Sequence, residues 1–177
     1  MRVRVLPEYC LRVKKLVYNS RIPDLCKLPY PGHPSGCPNY GKKPDCPPQA
    51  PFVTDILDVN RKMYLVYSEF DLESHVRRMK EKHPDWSDRQ LRNVIYWQGT
   101  SKSQLRHRAL RVLSIVNADV AILKGEAHGV NLYVTCSKSG LKLERIRDLR
   151  ICHHVALVGW LPENVSNLPK LPSLIVR

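Results

Sequence analysis

The chain has 177 residues, enough to bury one core and too few to argue for two. Hydrophobic residues at 43% and charged residues at 25% match an ordinary globular protein, and no apolar run approaches the roughly 18 residues of a membrane span. A formal net charge of +13 favours anionic partners, nucleic acid first and an anionic membrane surface second.

The start, MRVRVLPEYCLRVKK, lacks the apolar stretch of a secretory leader. A cytoplasmic protein with no membrane partner is therefore expected. Residues 3–19 carry β-branched and apolar residues in short runs and are expected to form one or two strands. Residues 22–51 change character: nine of the fourteen prolines lie there with Gly32, Gly36 and Gly41, and hydrophobic periodicity is absent. A structureless stretch of about 30 residues is unusual inside a domain unless a function or a bound group orders it.

Residues 51–60 read as a short helix starting near Pro51 or Thr54, and 62–70 (KMYLVYSEF) as a strand covered on both faces. Asp71 can cap a helix over 71–83 that Pro84 stops. A second helix is expected over 83–99, with Ser87 and Gln90 in a capping box. A third, over 103–118, places Leu105, Ala109, Val112 and Val116 on one face. Residues 118–125 read as a strand, 126–140 as a helix ending on Gly140, and 153–162 as the last strand. The proline-spaced residues 163–177 read as an extended tail. Strands alternating with helices predict an α/β or α+β single domain over 1–162, with one mixed sheet packed by helices and a long proline-rich metal-binding loop.

Six cysteines stand at 10, 26, 37, 46, 136 and 152. Clustered cysteines in a cytosolic chain are more often metal ligands than disulfides. Cys26, Cys37 and Cys46 fall within 21 residues, separated by ten and eight others. Neither gap is the tight spacing of a zinc ribbon, but thiolates suit soft and borderline metals. Prolines beside them limit the entropy lost on coordination.

Cys26, then Cys37-Pro38-Asn39-Tyr40-Gly41, then Cys46-Pro47-Pro48 resembles the N-terminal signature of an uncharacterised family described only as metal-binding proteins. A weaker likeness covers GEAHGVNLYVTCSKSGLKLE at 125–144, and an Arg-, Ala- and Leu-rich helix such as 105–116 lies between the two in that family. The chain departs from the pattern by lacking the family's second cysteine-rich loop and by a longer gap after Cys26. The resemblance implies metal at Cys26, Cys37 and Cys46, and nothing about a reaction.

Three thiolates suit a [4Fe–4S] cluster that leaves one iron open, the favoured expectation. The alternative is structural zinc, which needs a fourth ligand from His33, Cys10, Cys152, Cys136 or His153. Between Arg89 and Ala118 no acid occurs, while Arg89, Arg92, Lys102, Arg106, Arg108 and Arg111 all do. On one continuous helix Arg92, Tyr96, Gly99, Ser103 and Arg106 share a face, a combination suited to phosphate contact and base stacking; a solvated cationic face is the plainer reading. No Gly-rich phosphate loop, His-Glu-x-x-His or Gly-x-Ser-x-Gly occurs.

The expected function is an iron–sulfur protein that acts on or senses nucleic acid, RNA or DNA, or a nucleotide. The alternatives are a non-enzymatic nucleic-acid- or protein-binding module with structural zinc, and an accessory subunit docking through its proline-rich loop or tail.

Overall fold

The two longest strands, β2 (Tyr64–Asp71) and β4 (Ile151–Gly159), pair antiparallel from Tyr64 opposite Val158 to Asp71 opposite Ile151. The computed structural model to which they belong describes residues 5–30, 32–145, 148–165 and 168–177. Three short strands complete a sheet of order β1-β2-β4-β3-β5: β1 (Cys10–Arg12), β3 (Val120–Ile122) and β5 (Leu174–Val176). One sheet packed by helices is as expected. Among the described residues every strand pair is antiparallel, however, so the sheet is not mixed and the fold is α+β. The physical reason is the connectivity, which never returns a strand beside its neighbour in the same direction.

Both faces of the sheet are covered. Leu65, Leu157, Val120, Ile122 and Leu174 face Val53 and Ile56 of α1 (Val53–Ile56), and Leu132 and Cys136 of α5 (Leu132–Ser139). The alternate residues Cys10, Val66, Ala121, Ala156, Val158 and Ile175 face Leu105, Ala109, Val112 and Leu113 of α4 (Gln98–Val116). The two-residue period of a strand makes this division, and it explains the continuously apolar sequence of β2. Small Ala121 and Ala156 lie under α4, where a helix needs room to approach.

Local signals set most helix ends. Ser74 donates its backbone N–H to Asp71 Oδ1 at 2.8 Å, starting α2 (Leu72–Lys82). The Ser87 N–H donates to Gln90 Oε1 at 2.9 Å at the start of α3 (Asp88–Leu91). Gly140, at φ 97°, ends α5 as expected.

Three expectations are corrected. The 83–99 helix is only α3 followed by a 3-10 turn at Val94–Tyr96, because Asn93 leaves helical geometry and caps that turn through Ile95. The 126–140 helix divides at Gly129, φ 87°, into a 3-10 turn, Gly125–His128, and α5. The 163–177 segment is no free tail: β5 joins the sheet, and Leu171, Leu174 and Ile175 are buried. Among the described residues no helix is long and apolar enough to cross a membrane.

His128 is fully buried, 0% exposed, where the 3-10 turn meets the end of the cysteine loop. Its Nδ1–H donates to the Pro51 carbonyl at 2.7 Å, and the Ser173 hydroxyl donates to Nε2 at 3.3 Å. Both bonds belong to the neutral ring, and burial lowers its proton affinity below the usual histidine range. His75 is lowered for the same cause, with Arg78 adding like charge. An unfolded chain binds protons that these rings exclude, so stability is full above about pH 6.5 and falls as pH drops below it. The urea midpoint should therefore decline from pH 7 to pH 5, and His128→Asn should flatten that decline even if it lowers the midpoint at pH 7.

Candidate metal centre and cleft

The ladder between β3 and β4 ends at Ile122 opposite Leu157, although β4 begins six residues earlier at Ile151. Leu123 keeps company with the β5 side instead, donating its N–H to the Ser173 carbonyl at 2.7 Å. The gap so left beside Cys152–Val155 is a cleft of about 860 Å³. Its walls are the cysteine loop, the first half of α4, the 3-10 turn after β3, the start of α5, and Leu143, Glu144 and Leu149.

Cys26, Cys37 and Cys46 all line this one cleft. The loop reaches that arrangement through its glycines. Gly36 has φ 82°, and a Cβ there would stand 2.6 Å from the Cys26 carbonyl oxygen and 2.8 Å from the Lys27 backbone. Only glycine lets the chain cross so closely. The crossing is fastened by the Cys37 N–H donating to the Cys26 carbonyl at 2.7 Å. Gly41, at φ 71°, turns the chain so that its N–H donates to the Pro47 carbonyl at 2.8 Å, and Gln49 Nε2 returns to the Gly41 carbonyl at 2.9 Å. The prolines thus stiffen a doubly tied loop, which follows a short 3-10 helix at Ile22–Lys27.

Asp45 anchors the loop from below. Its side chain is 3% exposed and pairs with Lys124 Nζ at 2.6 Å. Burial raises the Cys26 thiol, and the neighbouring Cys37, Cys46 and then Glu126 raise it further. Cys46 is raised by burial while Lys124 draws it back down. Thiols close enough to raise one another hold their protons when alone, whereas a bound cation reverses that preference. Among the described residues, no three His, Cys, Asp or Glu side chains form a ready-made site for a single ion. No disulfide joins any of the six cysteines.

The candidate fourth ligands separate clearly. Cys10 is buried under α4 with its thiol pushed up to about 11, on the edge strand β1, and β2 stands between it and the β4 residues that line the cleft. Cys136 is buried against the other face, pushed up to about 12. His33 is exposed, exchanges backbone bonds with Tyr30 and lies tilted against its ring with centroids 4.6 Å apart, outside the cleft lining. Cys152 does line the cleft, raised by burial and partly offset by Lys102. His153 also lines it, with Nε2 3.0 Å from Glu69 and Nδ1 buried without a partner. His154 bonds Ser101 through Nδ1 at 2.9 Å.

The basic residues are not gathered on one helix face. Because the chain breaks at Asn93 and not at Gly99, which lies inside α4, Arg92 and Tyr96 leave the line of Ser103 and Arg106. Arg92 pairs with Asp88 and donates to the Leu149 carbonyl at 2.9 Å. Arg108 donates to the Tyr67 carbonyl at 2.8 Å and lies over the Tyr9 ring, so it braces β1 and β2. Tyr96 stacks on Trp86, and Arg89 and Arg111 are exposed elsewhere. Only Lys102 and Arg106 of that set line the cleft. Lys124 and Glu126 join the cysteines without any signal in their own spacing, and the Glu126 carboxyl is raised by burial beside Cys26. Both follow β3, and only the sheet's topology brings them to the cysteines.

Comparison with models of protein families, with curated proteins and with solved structures gives no match for this chain.

Proposed function

We propose that the chain is a cysteine-ligated metalloprotein whose thiolates Cys26, Cys37 and Cys46 hold a [4Fe–4S] cluster at the wall of a substrate cleft. The observation that carries this reading is the convergence of three thiols, 21 residues of irregular chain, on one cavity. Three cysteines of one loop on a cavity wall suit a cluster with one free iron position better than a closed four-ligand zinc. Bound there, the cluster supplies a Lewis-acidic iron. The protein's own part is to orient the thiolates through Gly36 and Gly41, to neutralise their charge with Lys124, and to present Lys102 and Arg106 to an anionic substrate. Nucleic acid or a nucleotide is the substrate class that the charge favours.

A second reading has one observation in its favour. Cys152 lines the same cleft, so it offers a fourth thiolate for structural zinc in a non-enzymatic nucleic-acid- or protein-binding module.

Anaerobic purification with metal analysis and a visible spectrum tests both. The expected result is a brown protein with about four irons per chain. Cys37→Ser should lose both iron and colour. A colourless protein carrying one zinc overturns the cluster in favour of the second reading. Metal content unchanged in Cys37→Ser overturns both.

A further inference from the structure

The cationic side of the cleft has an imbalance that the cysteines do not explain. Lys102 and Arg106 project from one side of α4, four residues apart, into the cavity that the thiols line. Among the described residues neither is paired with an acid. Lys102 Nζ donates only to the neutral amide of Gln98 at 2.9 Å, and Arg106 Nη1 reaches the Pro172 carbonyl at 3.4 Å. Of the carboxyls in the lining, Glu126 lies on the cysteine side and burial raises it toward its neutral form. Asp45 is committed to Lys124, and Glu144 accepts the Ile151 backbone N–H at 3.0 Å while facing Arg150. Burial lowers the Lys102 ammonium, and like charge from Lys124 and Lys43 adds to that. Crowded cations without a counter-charge are a site awaiting an anion.

Opposite in character is the rest of the lining. Tyr133, 44% exposed, and Tyr40 present rings beside Leu132 and Leu143. One end is therefore multiply cationic and the remainder aromatic and apolar, in a volume of about 860 Å³. A cavity of that size encloses one small molecule, and a folded duplex does not enter it.

We propose that the cleft binds a free nucleotide-sized phosphorylated molecule, its phosphate held by Lys102 and Arg106 and its aromatic ring lying against Tyr133 and Tyr40. This deepens the metalloprotein reading, on which it rests for the identity of the wall that the reacting end of the ligand faces. Phosphate recognition by two unpaired cations fixes one end of the ligand. Ring contact fixes the other, and the ligand then lies across the cysteine wall. Lys43 and Lys124 supply long-range attraction and not direct grip, since Lys124 is already bonded to Asp45.

Calorimetric titration of the full chain with AMP, GMP, CMP and UMP tests this, with inorganic phosphate, adenosine and a ten-residue oligouridylate as comparison probes. Metal content is measured on each preparation. At least one mononucleotide should bind, and more tightly than inorganic phosphate or the nucleoside adenosine. Lys102→Gln and Arg106→Gln should each weaken it about tenfold, as expected for loss of a charge-assisted contact. Both side chains are exposed, so unchanged thermal melts should accompany the loss. Tyr133→Leu should weaken the nucleotide and leave inorganic phosphate unaffected. Binding of none of the four mononucleotides by metal-loaded protein overturns this inference while the metal reading stands. Nucleotide binding by protein that carries no metal supports this inference and sinks the metal reading. Tight binding of the oligouridylate with no mononucleotide binding overturns it in favour of a polymer.

Discussion

Gly36→Ala should weaken the proposed metal binding while leaving every thiol in place. A left-handed backbone costs a non-glycine residue about 1–2 kcal/mol. Here the added Cβ also meets the Cys26 carbonyl at 2.6 Å, and backbone cannot rotate aside as a flexible side chain can. The crossing must open, and the Cys37-to-Cys26 backbone bond with it. Ligands that lose their orientation retain metal about 10- to 100-fold less tightly. Competition with a chelator, followed by the visible spectrum, measures the difference. Gly41→Ala is the informative comparison. Its φ is also positive, at 71°, but no atom lies within 4 Å of the new Cβ. It should cost backbone strain and little metal. Equal metal loss in the two variants would show that the close crossing at Gly36 has no special role.

Lys124→Met should destabilise the fold by about 2–3 kcal/mol, below the roughly 3–5 kcal/mol of a fully buried ion pair, because the lysine end is still 45% exposed. What is left behind is Asp45, 3% exposed and without its counter-charge. Asp45→Asn should cost less, since it leaves an exposed cation that water can solvate. The double variant should recover most of the loss, giving a coupling energy of 1 kcal/mol or more in a urea double-mutant cycle, an estimate typical of charged neighbours at about this distance. Additive single effects would mean that the pair does not hold the loop to the sheet.

Much of this molecule was written locally. Asp71, Ser87 with Gln90, and Gly140 mark helix ends through bonds spanning three or four residues, and each forms where the pattern placed it. The buried positions of α4 follow from its 3.6-residue repeat, and the strands β2 and β4 from their apolar runs. The helix expected over 83–99 failed for an equally local reason. Asn93 accepts from the Ile95 N–H and turns the chain, a competition between side chain and helix that a cationic pattern does not reveal. The tail was misread because its prolines suggest extension without showing that extension ends in a strand. β5 pairs with β3, fifty residues away in sequence, and only that partner makes it a strand.

Sequence by itself determined the three-cysteine loop, the excess positive charge, and the helix ends and strands that carry a strong local signal, because composition, spacing and capping act over a few residues. Tertiary structure decided which cysteines belong together with what. Cys10 stays away from the loop because it sits on the edge strand β1 with β2 between it and β4, while Cys152 reaches the cleft because β3 stops pairing with β4 at Ile122. The same early stop brings Lys124 and Glu126 to the thiols and opens the space in front of Lys102 and Arg106. Strand order and register join residues a hundred positions apart, and no spacing within the chain encodes that meeting.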